Sequence, residues 1–261
     1  MGSALLKGWL ARGIGPIIAV EPKPSPEIRK LARKKAISLV ALPSQVTAKR
    51  ISACVVAIKP QVLKGEAPAL AGFAAAKGKQ QGALMLSIAA GTSIAAMTAA
   101  WGAKSRIIRA MPNTPGAIGA GISGLFAARG ATAADRKLAS DLLAALGEVV
   151  WVAKEDLIDS VTAVSGSGPA YLFLMAEALT AAGIAEGLPP AIAEKLARTT
   201  VAGAGALLAA DKAPASALRE AVTSPGGTTA AALGVLMADD GLPALMKRAV
   251  AAARKRAEEL R

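Results

Sequence analysis

The order of the apolar segments along the chain constrains the fold more than any other feature. Up to about residue 152, apolar runs of strand length alternate with helical stretches, which is typical of a parallel sheet covered by helices. Beyond that point the apolar segments have helical length and periodicity. A chain of 261 residues is long enough for two domains of ordinary size. The sequence therefore predicts an α/β domain over residues 1–155 and an all-α domain over residues 156–261.

Strands are predicted where the apolar runs are nearly continuous, because strands buried on both faces of a parallel sheet have this composition. They cover residues 17–20, 37–41, 53–58, 83–88, 106–110 and 148–152. Helices are predicted over residues 25–35, 61–77, 93–101 and 133–146 in the first domain, and over 169–186, 190–210, 215–222, 228–237 and 242–260 in the second. The glycine-rich stretch 116–124 is assigned to no strand or helix.

The composition excludes several kinds of chemistry. The chain has no histidine, so a Ser-His-Asp triad, a Cys-His pair and a histidine-ligated metal are excluded, and no metal site is predicted. A single cysteine, Cys54, lies in an apolar strand and rules out a disulfide framework. The opening residues lack the apolar run of a signal peptide, and the apolar segment 169–188 is interrupted by Glu177 and Glu186. We therefore expect a cytoplasmic protein with no membrane span.

The net charge of +13 raises the question of nucleic-acid binding, because a basic surface attracts phosphates. The lysines and arginines are scattered along predicted helices, however, and only three Phe, three Trp and one Tyr are available to stack on bases. A basic enzyme with a solvated surface explains the composition better. We expect no nucleic-acid partner.

Two predicted strands end in residues that are suited to ligand binding. The run AIKPQ (57–61) ends in Lys59 and Pro60, and open parallel sheets bind ligands at the carboxyl ends of their strands. In RAMPNTP (109–115), two prolines fix the amide of Asn113 directly after a strand. From the residues alone, purely structural roles are the better explanation: a strand stopped by proline beside a solvated lysine, and an ordinary rigid turn.

The segment VTSPGGTT (222–229) separates two predicted helices and places backbone amides at a helix N-terminus, where an anion can bind. Gly226 and Gly227 permit positive φ angles and close approach, and Thr228 and Thr229 add hydroxyl donors. From the residues alone, a glycine-rich connection between helices with a threonine cap is an equally good explanation.

Taken together and in their order, these segments resemble those of pyrroline-5-carboxylate reductases. The resemblance runs from Met1 to the C-terminus and rests on AIKPQ (57–61), SIAAGTSI (87–94), RAMPNTPGAIGAGIS (109–123), SGSGPAY (165–171) and LREAVTSPGGTTAAALGVL (218–236). It implies a Rossmann-like dinucleotide-binding domain followed by a helical domain for dimerisation and substrate binding. The implied reaction is the reduction of 1-pyrroline-5-carboxylate to L-proline by hydride transfer from NADPH, with NADH as a second option.

The resemblance also implies roles for single residues. Thr229 and Ser224 are the catalytic candidates, with Thr229 near the imine nitrogen, and Gly226, Gly227 and Thr228 complete the substrate pocket. The expected cofactor-binding residues are Gly2, Ser3, Glu21, Lys23, Ser25, Ala57, Lys59, Pro60, Ala89, Ala90, Met111, Pro112 and Asn113. An acidic residue after a strand, such as Glu21, commonly binds the ribose hydroxyls of NAD, whereas Lys23 and Ser25 suit the 2′-phosphate of NADP.

The first residues match only part of the family's N-terminal motif. Members begin with a short strand and a GxGxxG turn, and residues 1–4 match the end of that turn, followed by the helix at residues 5–12. We therefore expect the first strand and the first part of the glycine turn to be missing, through a start codon assigned too late rather than through decay of the gene. Without those turn amides, the chain as given is expected to bind dinucleotides poorly.

Two other functions stay open at this point. A related imine or hydroxyacid reductase would share the architecture, and a catalytically impaired helical dimer would serve as a scaffold. For either function, the alanine-rich helices from Pro169 onward predict a homodimer or a higher homo-oligomer, because their apolar faces are too extensive to remain in water.

Overall fold

The structure is a computed structural model that describes residues 1–48, 50–75 and 81–261, apart from the side chains of Pro60 and Lys64. The chain forms two compact units, the first made of Met1–Gly166 with Arg254–Arg261 and the second of Ser167–Ala253. This division follows compactness alone, and the domain limits 1–155 and 156–261 stay a prediction.

The first unit contains alternating strands and helices, as the sequence predicts. Its described strands are β1 (Ile18–Val20), β2 (Ser38–Val40), β3 (Ala53–Val56), β4 (Leu84–Ser87), β5 (Arg106–Met111), β6 (Gly121–Ala127) and β7 (Gly147–Trp151). Its described helices are α1 (Gly2–Ala11), α2 (Pro26–Arg33), α3 (Pro60–Glu66), α4 (Ala71–Ala74), α5 (Ile94–Trp101), α6 (Ala133–Leu143) and α7 (Leu157–Val161). A π-helical turn, Thr162–Gly166, follows α7.

Within the described residues, the strands form two sheets. β1 and β2 pair in parallel in the smaller sheet, with Ile18 opposite Ser38. The larger sheet has the order β3-β4-β5-β6-β7, in which β3, β4 and β5 are parallel. No strand pairing joins β1 to β3 in this part of the chain.

Strand β6 corrects the prediction from sequence, which assigned the glycine-rich stretch 116–124 to no strand and expected a parallel sheet. β6 is antiparallel to β5 and parallel to β7. Its glycines hide the strand because glycine has a low strand propensity. The backbone is crowded there: a Cβ on Gly121 would lie 2.6 Å from the Gly116 amide nitrogen, and one on Gly124 would lie 2.6 Å from the Val161 side chain.

The predicted helix over 61–77 is interrupted in the structure. α3 ends at Glu66, a 3-10 turn covers Ala67–Leu70, and α4 ends at Ala74. Pro68 explains the interruption, because proline lacks the backbone N–H that a continuous helix needs and its ring clashes with the preceding turn. Residues 76 and 77 of the prediction lie outside the described residues.

Apolar clusters cover both faces of the larger sheet. All four residues of β4 are buried, and side chains of a strand alternate between its faces. Leu84 and Leu86 belong to a cluster that contains Leu5 of α1, whereas Met85 belongs to a cluster that contains Trp101 of α5. These clusters fix α1 and α5 to the sheet, and thereby fix the N-termini of the two helices.

The second unit is helical, as predicted. It contains α8 (Gly168–Ala185), α9 (Pro190–Ala210), α10 (Ala215–Ala221), α11 (Thr228–Leu236) and most of α12 (Leu242–Glu259), which ends in the first unit. No residue of α8 is buried, and its apolar side chains Leu172, Phe173 and Leu174 are 58%, 65% and 63% exposed. An apolar surface of this kind marks an interaction face.

One described helical stretch, Leu157–Ala185, is long and apolar enough to cross a membrane by length and composition alone. A single such stretch is weak support for a membrane span, because a helix that packs against a protein partner passes the same test.

Candidate cofactor and substrate sites

Most of the predicted cofactor residues of the first unit lie at the carboxyl ends of β3, β4 and β5. Ala57 and Lys59 follow β3, Ala89 and Ala90 follow β4, and Met111 ends β5. The three strands are parallel, so their ends share one edge of the sheet, the edge where folds of this kind bind ligands. At this edge, here called the cofactor edge, Ala89 is buried whereas Lys59 and Ala90 are exposed. Pro60 opens α3 beside them.

The N-terminus of α1 lies at the cofactor edge as well. A Cβ added to Gly2 would lie 3.1 Å from Ala57 Cβ, which places the start of α1 beside the end of β3. Met1 occupies the N-cap position and makes no side-chain hydrogen bond to the first-turn amides. A helix N-terminus with uncapped amides suits a phosphate of a dinucleotide. The backbone of Gly2 and Ser3 therefore fits the predicted role.

Glu21, Lys23 and Ser25 follow β1, and no described strand pairing links them to the cofactor edge. All three residues are exposed. Glu21 Oε1 accepts a hydrogen bond from the Lys23 amide at 3.0 Å, and Ser25 Oγ accepts one from the Ile28 amide at 3.3 Å. The Ser25 hydroxyl is therefore the N-cap of α2. Lys23 is left as the cation of this loop.

The turn after β5 is held by contacts within the first unit. Asn113 Oδ1 accepts a hydrogen bond from the Ile122 amide at 2.9 Å, and Pro112 is buried. The side-chain nitrogen of Asn113 is therefore the atom that can donate to a ligand. Met111 lies against the π-helical turn, since a Cβ on Gly166 would come within 2.6 Å of Met111 Cε. The position of Met111 thus depends on the absence of a side chain at Gly166.

In the second unit, residues 224–229 form the predicted turn before α11. Gly226 has a φ of +71°, and the Gly227 amide donates to the Ser224 carbonyl at 3.0 Å. Gly227 is the N-cap of α11 and offers no side chain to the helix, so the first-turn amides, including those of Thr228 and Thr229, have no side-chain cap. A helix end of this kind fits a carboxylate.

The structure also contains a buried charge network that the sequence analysis did not find. Arg109 Nη1 lies 3.1 Å from Glu155 Oε1, and Arg109 Nη2 lies 3.5 Å from Asp159 Oδ1. Arg261 Nη2 lies 3.0 Å from Asp159 Oδ2, as an ion pair without hydrogen-bond alignment. Arg109 belongs to the RAMPNTP segment, but its partners are distant in sequence. No local sequence pattern predicts such a pairing.

Other reactive groups do not add to the site. Burial raises the pKa of the Cys54 thiol to about 12, so the side chain stays a neutral thiol at physiological pH and is no nucleophile. No cluster of three or more Cys, Asp or Glu residues suited to a metal ion occurs among the residues that the structure describes.

These features define the class of protein to which the chain belongs. Its first unit is a Rossmann-like α/β fold with an uncapped helix N-terminus at the carboxyl edge of a parallel sheet. Its second unit is helical and carries a further uncapped helix N-terminus behind a glycine turn. This is the architecture of a two-domain dinucleotide-binding protein.

Comparison with known proteins gives the family. Residues 155–260 match the family model for pyrroline-5-carboxylate reductase dimerisation. A pyrroline-5-carboxylate reductase of Pseudomonas aeruginosa is 39% identical over 261 residues, which cover 100% of this chain and 93% of that relative. The solved structure of the Coxiella burnetii pyrroline-5-carboxylate reductase is 34% identical, with a TM-score of 0.89 over 99% of this chain and 94% of the other.

The Plasmodium falciparum pyrroline carboxylate reductase, solved with NADP bound, is 25% identical, with a TM-score of 0.79 over 100% of this chain and 94% of the other. The chain described here belongs to the pyrroline-5-carboxylate reductase family.

Proposed function

We propose that this protein reduces 1-pyrroline-5-carboxylate to L-proline, the last step of proline biosynthesis, with a hydride from NADPH. The observation that carries the proposal is the uncapped N-terminus of α11 behind the 224–229 turn, in a chain that is 39% identical over its whole length to a reductase of this name. The NADP bound to the Plasmodium falciparum relative supports the choice of cofactor.

The first unit holds the cofactor in this proposal. When bound, the reduced nicotinamide supplies the hydride for the reaction. The amides of Gly2 and Ser3 hold a phosphate at the N-terminus of α1, since no side chain of the N-cap residue competes for them. The residues that follow β3 and β4 line the cofactor, and the Asn113 side-chain nitrogen donates to it, because its oxygen is already held by the Ile122 amide.

The second unit holds the substrate, a cyclic imine that carries a carboxylate. The amides and hydroxyls of Thr228 and Thr229 hold the carboxylate, with the Ser224 hydroxyl and the open backbone at Gly226 and Gly227 completing the pocket. The Thr229 hydroxyl also hydrogen-bonds near the imine nitrogen and orients the ring.

The chemistry needs no strong general acid. The imine arrives protonated, so addition of hydride to the imine carbon moves the C=N electron pair onto nitrogen and gives the neutral secondary amine. This balance fits a chain that has no histidine.

We choose NADPH over NADH because Lys23 is an exposed cation in the loop after β1, where the 2′-phosphate of NADP is expected. Glu21 opposes this preference, since its carboxylate suits the free ribose hydroxyls of NAD. In the structure, the Glu21 carboxylate accepts a hydrogen bond from the Lys23 amide. This hydrogen bond turns the carboxylate toward the backbone of its own loop. Use of both cofactors, with NADPH favoured, follows.

The assembly that we propose is a homodimer, or a higher homo-oligomer built from it, in the cytoplasm. The exposed apolar residues of α8 and the family match over residues 155–260 support dimerisation through the helical unit. Neither a nucleic acid nor a membrane is a proposed partner.

A spectrophotometric assay of cofactor oxidation tests the function. We expect the purified chain to oxidise NADPH when pyrroline-5-carboxylate is added, with L-proline as the product, and to oxidise NADH less efficiently. Reduction of another cyclic imine or of a keto acid, with pyrroline-5-carboxylate left unchanged, would establish the related reductase instead. A dimer that oxidised neither cofactor with any of these substrates would establish the scaffold.

A further inference from the structure

The charge network, made of Arg109, Glu155, Asp159 and Arg261, is balanced in charge and largely removed from water. The Arg109 and Asp159 side chains are 2% and 1% exposed. Each of these buried charges has an opposite charge beside it, which offsets the cost of its desolvation. Loss of Asp159 would therefore leave two cations with one carboxylate.

The network is attached to the loop that follows β4. Glu155 Oε1 accepts a hydrogen bond from the amide of Ile94, the first residue of α5, at 2.7 Å. At the other side of the loop, a Cβ on Gly91 would lie only 2.9 Å from the carbonyl oxygen of Leu260. Leu260 directly precedes the arginine that pairs with Asp159. The segment 88–93, here called the β4 loop, is therefore contacted at Gly91 and anchored through the residue that follows it, Ile94.

We propose that Asp159 and Arg109 are positioning residues for the cofactor, which act by holding the β4 loop at the cofactor edge. This inference rests on the proposed function, in which Ala89 and Ala90 of that loop line the dinucleotide. Neither Asp159 nor Arg109 contacts the reacting atoms in this scheme. Their effect passes through Glu155 to the start of α5, and through the neighbouring Leu260 to the loop backbone.

The variant Asp159→Asn tests the inference. It keeps the shape of the side chain and removes one negative charge, so Arg109 and Arg261 are left with Glu155 as the one carboxylate of the network. A buried cation without its partner attracts the nearest carboxylate. Glu155 is drawn away from the Ile94 amide, and the hydrogen bond that anchors the end of the β4 loop is lost.

Asp135 of α6 provides a control from the same unit, because its ion-pair partner lies on the same strand as Arg109. Its side chain is 3% exposed, and it pairs with Arg106 at the amino end of β5, away from the β4 loop. Asp135→Asn removes an ion pair and weakens the capping box at the start of α6, and so lowers the stability of the same unit. Any difference in cofactor binding between the two variants therefore comes from the location of the lost ion pair relative to the β4 loop, and not from the loss of stability.

The experiment uses the full chain, with NADP⁺ binding followed by calorimetry and backbone hydrogen exchange measured without cofactor. We expect Asp159→Asn to weaken NADP⁺ binding about tenfold, equivalent to ~1.4 kcal/mol, and to speed exchange in the β4 loop. We expect the Michaelis constant for pyrroline-5-carboxylate to stay within about twofold of wild type, because the substrate turn, residues 224–229, belongs to the other unit. Asp135→Asn should change neither NADP⁺ affinity nor loop exchange.

Equal NADP⁺ affinity in Asp159→Asn and Asp135→Asn would overturn the inference while leaving the proposed function intact. A wild-type chain that bound neither NADP⁺ nor NADPH would overturn the proposed function, and the inference with it. If Asp159→Asn fails to fold, Arg261→Gln replaces it, because Arg261 is 29% exposed and its removal leaves the pair of Arg109 and Asp159 in place. This variant leaves Glu155 in place but loosens Leu260 beside Gly91, so smaller changes of the same sign in affinity and exchange are expected.

Discussion

At the scale of single residues, Gly226 and Gly227 in the substrate turn are glycines for different reasons. Gly226 has a left-handed φ of +71°, and the space around its missing side chain is open. Gly227 has an ordinary φ of −80°, but a Cβ there would lie 2.4 Å from Ser224 Oγ and 3.1 Å from the Ser224 carbonyl oxygen. A substitution at Gly226 therefore strains the backbone, whereas one at Gly227 displaces a proposed substrate contact.

We predict that Gly227→Val lowers kcat/KM for pyrroline-5-carboxylate by at least about a hundredfold and that Thr229→Ala lowers it about tenfold. The effect of Gly227→Val is larger because the valine side chain displaces Ser224 and blocks access to the N-terminus of α11. Thr229→Ala removes a single hydroxyl. NADP⁺ affinity should change by less than about twofold in both variants, because these residues belong to the substrate turn. Steady-state kinetics together with calorimetric titration measure the two effects.

Gly234→Ala is the control for these substitutions, since Gly234 lies in the same helix and a Cβ there meets no atom within 4 Å. Wild-type kinetics are expected, with a gain in stability of about 1 kcal/mol from helix propensity. Wild-type kinetics in Gly227→Val and Thr229→Ala as well would show that the carboxylate binds elsewhere.

The sequence predicts the two kinds of site residue unequally. The 222–229 segment can be interpreted because glycines next to threonines at a helix start have a local physical meaning. Arg109 has no such local signal: its partners Glu155 and Asp159 come from a distant segment, and only the fold brings them together. Ser25 is ambiguous in the sequence, because a serine at this position suits both a helix cap and a phosphate-binding residue. The structure shows that its hydroxyl caps α2.

At the scale of secondary structure elements, the smaller sheet is the weakly held part of the first unit. β1 and β2 contain three residues each, and none of these residues is buried. In contrast, all four residues of β4 are buried between paired strands. A short pair of strands without a third described strand has little to stabilise it.

We predict that the backbone amides of β1 and β2 exchange with solvent at least about a hundredfold faster than those of β4 and β5, a difference of ~2.7 kcal/mol in opening free energy. Hydrogen exchange followed by mass spectrometry or NMR on the full chain measures this difference. Equal protection would mean that the two sheets open as one cooperative unit, in spite of the break in strand pairing.

Elements were predicted well where apolar periodicity or a cap was present, and poorly where glycine or proline was concentrated. The helix predicted over 93–101 is α5, which begins after Ser93 because the Ser93 hydroxyl accepts a hydrogen bond from the Ala96 amide. β6 was not predicted because it contains glycines, which have a low strand propensity. Those glycines are needed because neighbouring atoms leave no room for a side chain. Among the described strands, β1 pairs with β2 and not with β3; such pairings follow from contacts across the fold, which local patterns do not contain.

At the scale of the whole molecule, the exposed face of α8 is expected to be the dimer interface. We predict that Phe173→Asp raises the dissociation constant of the dimer by at least about a hundredfold, because a charge placed in the apolar core of an interface leaves a buried ion unpaired. Leu42→Asp, at an exposed apolar residue of the first unit, should leave the dimer unchanged. Sedimentation at micromolar concentration measures both variants, and a wild-type monomer would contradict the proposed assembly.

The first unit is discontinuous in sequence, because residues 254–261 belong to it and the helical unit lies between. The ribosome synthesises the chain from its N-terminus. When the last described strand, β7, has been synthesised, the nascent chain still lacks Arg261, a partner of the buried Asp159. The unit whose strands are synthesised first is therefore completed last. Chains terminated before residue 254 would carry a cofactor unit with an incomplete charge network, which makes them easier for the cell's proteases to recognise than the finished protein.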